Sequence, residues 1–243
     1  MKVLSFDIET KPIYQNDPDP KAGLNPDISE ITVVCTYDGT QSRVYHLCKP
    51  AKTCVCRRQT KLRDECAACV VYHAENATAL FAAMDSADRL CGYNCVRFDI
   101  AFLQKKFQLD NDRVSRWVYK CTDLFLFVSE VMGTYCKLDR LLKMNGLQTK
   151  SSSGKEAIQM AFSGMWDELA DYCSLDAKLT HNLTMLQRIR VPAFGNTTTV
   201  VILQQPSHSW TIEQDGETKT PHRSQRRMLS RGTAVVNSLF DSP

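Results

Sequence analysis

Close to its start the chain runs Val3-Leu4-Ser5-Phe6-Asp7-Ile8-Glu9-Thr10, and this segment limits the possible folds more than any other. Val3 to Ile8 is short, apolar and rich in β-formers, which predicts a strand running into Glu9 and Thr10. Side chains alternate along a strand, so Asp7 and Glu9 point to one face. Two carboxylates side by side on an otherwise apolar strand repel, which costs free energy unless a cation sits between them. The alternative is a strand end at which both are simply solvated.

The rest of the chain extends this strand into an α/β pattern. Lys11 to Asp27 is rich in Pro, Asp and Asn and reads as a loop. Ile31 to Tyr37 and Arg43 to Leu47 read as two strands joined at Asp38-Gly39, a hairpin. Val70 to His73 reads as a return to the sheet, Asn76 to Met84 as a helix with Asn76 near its cap, and Arg89 to Tyr93 as a strand. Helices are expected at Phe98 to Phe107, Leu124 to Val131 and Leu138 to Met144, the last stopped by Gly146. Lys150 to Lys155 reads as a loop. Trp166 to Arg190 carries Leu169, Tyr172, Leu175, Leu179, Leu183 and Leu186 near helical spacing, with Pro192 as its stop. Beyond Asn196 only Thr199 to Leu203 reads as ordered, and Gln204 to Pro243 is polar and mixed. The division expected is one domain over 1–192, interrupted by an insertion at 48–69, and a polar extension over 193–243. A strand, a hairpin and then alternating helices and strands predict a sheet that is not wholly parallel.

A chain of 243 residues is long enough for one substantial core. Its net charge of +3 argues against a protein that coats nucleic acid electrostatically, and is neutral toward an enzyme that grips a few phosphates. No stretch approaches the ~18 apolar residues of a membrane span. Acidic residues stand where a signal peptide would keep an apolar run, so an intracellular protein, cytoplasmic or nuclear, is expected. The 11 cysteines then read as reduced thiols or metal ligands rather than disulfides.

Two further segments carry carboxylates. In Gly92-Tyr93-Asn94-Cys95-Val96-Arg97-Phe98-Asp99, the last residue sits at a strand-to-helix junction, where a negative charge also suits a helix start. In Tyr172-Cys173-Ser174-Leu175-Asp176, the phenol and the carboxylate are four apart, so a helix stacks them on one face. Tyr172 as core and Asp176 as a solvated residue is the structural alternative. Asp123, in Lys120-Cys121-Thr122-Asp123, reads as a cap for the helix that follows.

Taken in order and at these internal spacings, the three segments resemble the motifs of the DEDD superfamily of 3′-5′ exonucleases. The Tyr-x-x-x-Asp form of the third resembles the DEDDy branch, and the likeness over Met1 to about Arg190 is nearest to the proofreading exonuclease domains of B-family DNA polymerases. The resemblance implies an RNase H-like mixed sheet flanked by helices. It also implies phosphodiester hydrolysis from the 3′ end of single-stranded DNA, or of RNA, with two Mg²⁺ or Mn²⁺ ions. Asp7, Glu9 and Asp176 would hold the ion that carries the attacking water, Asp7 would bridge to the second, and Asp99 would support that second site. Tyr172 would orient the water. Thr10, Asn94 and Phe98 occupy positions that touch or shape the pocket of the terminal nucleotide, although Phe98 as core and Asn94 as a local backbone partner fit equally.

The insertion is a separate matter, on which the family is silent. Cys54, Cys56, Cys66 and Cys69 form two close pairs that suit a tetrahedral Zn²⁺ site, with Cys48, His46 or His73 as substitutes for one ligand. The alternative is a surface loop with unpaired thiols. If the zinc site forms, Arg57, Arg58, Lys61 and Arg63 would lie on one projection suited to backbone phosphates, with a solvated basic face as the alternative; Arg223, Arg226, Arg227 and Arg231 in the tail would do likewise. Two competing functions remain: an exoribonuclease of the same superfamily, and a non-catalytic nucleic-acid-binding module. No membrane role is expected.

Overall fold

The computed structural model describes residues 1–15, 17, 19, 21–49, 67–132, 136–149, 154–186, 188–192, 198–203, 210–214 and 217–219. β1 (Val3–Pro12) is the spine of a five-stranded sheet. On one side it pairs antiparallel with β2 (Ser29–Tyr37), which pairs antiparallel with β3 (Ser42–His46). On the other side it runs parallel to β4 (Arg89–Gly92), and β4 runs parallel to β5 (Cys121–Asp123). The order is β3-β2-β1-β4-β5, a mixed α/β sheet of the kind the sequence predicts.

Alternation along β1 divides its side chains between two layers. Leu4, Phe6 and Ile8 enter a core with Leu80, Met84, Ile100, Phe102, Leu103 and Trp117. These come from α1 (Ala67–Ser86), α2 (Asp99–Phe107) and α3 (Asn111–Tyr119). The opposite face lies under α6 (Gly154–Ser163) and α7 (Trp166–Thr184), where Val33 and Cys35 of β2 pack with Ala157, Ala161, Leu169, Tyr172 and Cys173. A third cluster gathers α4 (Leu124–Met132), α5 (Leu138–Met144), the end of α7 and β6 (Arg188–Pro192) around Leu124, Leu141, Leu183 and Ile189.

Several sequence expectations are corrected. Val70 to His73 is not a strand: it lies inside α1, whose buried residues Cys69, Ala77, Leu80 and Met84 keep helical spacing while Val70 and Val71 face solvent. The local β-propensity of Val-Val-Tyr yields to that burial pattern. α7 ends at Thr184, not Arg190. Ile189, Val191 and Pro192 are buried in β6, so Pro192 closes an edge strand rather than a helix. β6 begins a second, antiparallel sheet with β7 (Thr198–Leu203), β8 (Trp210–Gln214) and β9 (Glu217–Lys219), in that order. Order thus extends past the one segment expected beyond Asn196. α3 and α6 were not expected from the sequence. Among the described residues no helix is long and apolar enough to cross a membrane.

Candidate active site

Asp7, Glu9 and Lys11 are half-buried on the α7 side of β1, alternating with the buried Phe6, Ile8 and Thr10. A bulge shapes this end of the strand: Glu9 pairs with Val33 and Thr10 with Ile31, so Thr32 of β2 is the extra residue. Its hydroxyl donates to the Glu9 carbonyl at 2.8 Å, which satisfies the group that the bulge takes out of the ladder. α7 lies across β1 and β2 and is tied down by Cys173, whose thiol donates to the Asp7 carbonyl at 3.3 Å. One turn brackets that contact. Tyr172 is buried against Val33, Cys35 and Leu169, and Asp176 is buried beside the strand.

The result is one group of three carboxylates, Asp7, Glu9 and Asp176, each offering an oxygen within 4.8 Å of the others. Three carboxylates so close repel unless positive charge lies among them. An all-oxygen donor set of this kind suits a hard divalent cation such as Mg²⁺ or Mn²⁺, not a thiophilic one. Lys11, two residues on along the same face, is already engaged: its ammonium lies 3.4 Å from the Glu30 carboxylate and over the Phe162 ring.

Asp99 is placed next to this group but not in it. β4 stops at Gly92, so β1 runs on past its parallel neighbour, and the Ile8 N–H donates to Asp99 Oδ1 at 3.0 Å. Asp99 is the first residue of α2 and is 3% exposed. Burial, reinforced by the nearby Asp123 charge, pushes its pKa up to about 8, against the hydrogen bonds it accepts. The protein thus holds one carboxylate at the carboxyl edge of its sheet poised between charged and neutral.

Asp123 does more than cap the next helix. One oxygen accepts from Phe125 and Leu126 at the start of α4 and from the Asn94 N–H; the other accepts from Val96. It thereby fixes the turn that leads into Asp99. Burial also raises its pKa, with those four N–H groups pulling the other way. The turn itself is tight: Asn94 has φ +63°, a left-handed conformation that Asn tolerates better than most residues. A Cβ at Gly92 would lie 2.4 Å from that of Cys95, so only glycine fits there.

Of the three pocket candidates, Thr10 is buried and donates to the Gly23 carbonyl at 2.5 Å. Asn94 supplies the turn, its carbonyl accepting from Phe98. Phe98 is half-buried and its ring lies 4.8 Å from that of Phe102. Each has a structural task. Of the thiols offered for zinc, Cys54, Cys56 and Cys66 lie outside the described residues, as do Arg57, Arg58, Lys61 and Arg63 and the tail arginines. Cys69 is buried on α1. Among the substitutes, His73 Nε2 lies 2.8 Å from the Lys49 carbonyl, and burial lowers the His46 pKa to about 4. Sequence reasoning missed Lys11, although its position two beyond Glu9 puts it on the same face as the carboxylates.

The strand order and the carboxylates gathered at one end of β1 define an RNase H-like exonuclease domain. A family model described as DNA polymerase family B, exonuclease domain, matches residues 1–133, and the chain belongs to that family of nucleic-acid hydrolases. The match takes in Asp7, Glu9, Asp99 and Asp123, whereas Tyr172 and Asp176 lie beyond it, and the fold brings Asp176 to the carboxylate group. No curated protein matches the chain.

Proposed function

We propose that this chain is a metal-dependent exonuclease of the tyrosine-bearing DEDDy branch, removing nucleotides from the 3′ end of single-stranded DNA. The observation that carries the reading is the meeting of Asp176 with Asp7 and Glu9 within 4.8 Å, from opposite ends of the domain. Two divalent cations, when bound, supply an activated water and stabilise charge on the departing 3′ oxygen. Asp7, Glu9 and Asp176 would hold one of them, with Asp7 shared and Asp99 supporting the second. Tyr172, one turn before Asp176 on α7, would orient the water; a phenol of pKa ~10 is a weak base at neutral pH, so orientation is its better role. Membership of the DNA polymerase family B exonuclease family favours DNA over RNA.

The test is digestion of 5′-labelled single-stranded DNA, duplex DNA and RNA with Mg²⁺ or Mn²⁺, and again with chelator. A ladder shortening from the 3′ end of the DNA, lost with chelator and with Asp7→Ala, is expected. Faster shortening of RNA would move the protein to the exoribonucleases. The absence of a ladder on every substrate with either metal would leave only the non-catalytic binding module.

A further inference from the structure

Beneath the Asp99 turn, on the face away from α7, two thiols touch. Cys95 Sγ and Cys121 Sγ are 3.2 Å apart, and both are free. A disulfide needs ~2.05 Å, so the gap exceeds a bond by about 1.1 Å. Cys95 is fully buried and cannot withdraw: its side chain rests on Gly92, and the amides on either side of it are held by Asp123. Cys121 is half-buried and opens β5, a three-residue strand at the sheet edge, so it is both the member that an oxidant reaches and the member that can move.

Among the described residues the other thiols lack this combination. Cys91 lies beside the pair in the sheet but is bonded on the opposite face by Ser5 and Thr184. Cys35 and Cys173 are neighbours too, yet both are fully buried and each thiol donates to a backbone carbonyl, that of Ala170 or Asp7.

We propose that Cys95 and Cys121 form a reversible disulfide, driven by a peroxide, that displaces the turn carrying Asp99. The Cys121 thiolate attacks a peroxide oxygen and becomes a sulfenic acid as the other oxygen leaves as hydroxide, which takes up the proton that the Cys121 thiol released and becomes water. The Cys95 sulfur then attacks that sulfenic sulfur, and the departing hydroxide takes the Cys95 proton to leave as a second water. Two thiols and one hydrogen peroxide give one disulfide and two waters. Closing the gap draws β5 toward the turn and shifts Asp123, two residues along, with the four amides it holds. Displacements near 1 Å in an active site cost up to ~100-fold in rate; Asp99 stands one step removed, so about tenfold is expected. This effect on rate rests on the proposed nuclease activity, whereas the bond does not.

The experiment oxidises the full, reduced chain with equimolar hydrogen peroxide, maps its peptides by mass, and follows exonuclease rate before and after dithiothreitol. Expected are a peptide pair linked through Cys95 and Cys121, a rate about tenfold lower, and recovery of both on reduction. Cys121→Ser should lose the link and keep its rate in peroxide. If that variant does not fold, alkylation of the wild-type protein answers the same question, since Cys121 should be labelled before oxidation and protected after it. Cys121 oxidised to a sulfinic acid with Cys95 still a free thiol would overturn the proposal, as would a mapped link with an unchanged rate. A reduced protein with no activity would count against the nuclease reading, and the mapped link would then decide this one.

Discussion

The domain places acidic side chains in two neighbouring regions and treats them in opposite ways. Asp7, Glu9 and Asp176 are pressed together with their oxygens within 4.8 Å, where a cation would relieve their repulsion. Asp123, on the other side of the β1–β4 junction, is supplied with four backbone N–H groups and is satisfied by the protein itself. One region stores electrostatic strain that a ligand can release; the other uses charge to fix a turn. Asp99 stands between them, taking one N–H from β1 and feeling the charge of Asp123. The lesson is that acidity alone does not mark a metal site: Asp7, Glu9 and Asp176 crowd their oxygens together, whereas Asp123 stands apart and gathers four backbone N–H groups around one carboxylate.

The sharpest way to break this comparison is to neutralise a member of the strained group. Asp7→Ala and Asp176→Asn should each lower the exonuclease rate by about a thousandfold or more, since each removes a proposed metal ligand. Their melting temperature without metal should stay level or rise, because repulsion is relieved. A melting temperature that falls steeply in both would mean that these carboxylates hold the fold, and would merge the two regions into one.

Asp123→Ala should behave in the reverse manner. Four buried or half-buried N–H groups lose their acceptor, which is expected to cost about 3–4 kcal/mol of stability by denaturant unfolding. Any loss of activity should follow from the loosened turn, and should be larger at higher temperature. A variant of wild-type stability would remove Asp123 from the structural side of the comparison.

Asp99 offers a pH test of its intermediate position. An unfolded Asp has a pKa of ~3.9, whereas in the folded protein Asp99 titrates at about 8. Between those values the folded state keeps a proton that the unfolded state has lost, so stability falls as pH rises through the window. Metal-free protein is therefore expected to lose about 3–4 kcal/mol between pH 5 and pH 8, read as a falling melting temperature. Saturating Mg²⁺ or Asp99→Asn should flatten the slope. A melting temperature that rises over this range in the metal-free protein would contradict the burial of Asp99 as the controlling effect.

Much of this was legible in the sequence, and the parts that were not share a cause. Alternation placed Asp7 and Glu9 on one face, and the four-residue spacing placed Tyr172 and Asp176 together on α7, because both are local periodicities. The meeting of the two elements is not local, and only the likeness to a family suggested it. Asp123 read as a helix cap, since Phe125 and Leu126 follow it directly. Its hold on Asn94 and Val96, from a neighbouring strand, has no sequence signature. The errors at Val70 to His73 and at Arg188 to Pro192 arose where short apolar runs fit either period, and burial against distant elements decided between them.

The smallest expected effect tests whether the tyrosine belongs to the strained region or to the packing around it. Tyr172 is buried among Val33, Cys35 and Leu169, so Tyr172→Phe keeps the ring and should change stability by under about 1 kcal/mol. If its hydroxyl orients the water, the exonuclease rate should drop about tenfold, a barrier change of ~1.4 kcal/mol, with KM unchanged. The rate should stay dependent on Mg²⁺, and the acid limb of its pH profile should not move, because the carboxylates are intact. A rate within twofold of wild type would assign Tyr172 to the α7–sheet packing and leave the three carboxylates as the whole of the site on that face.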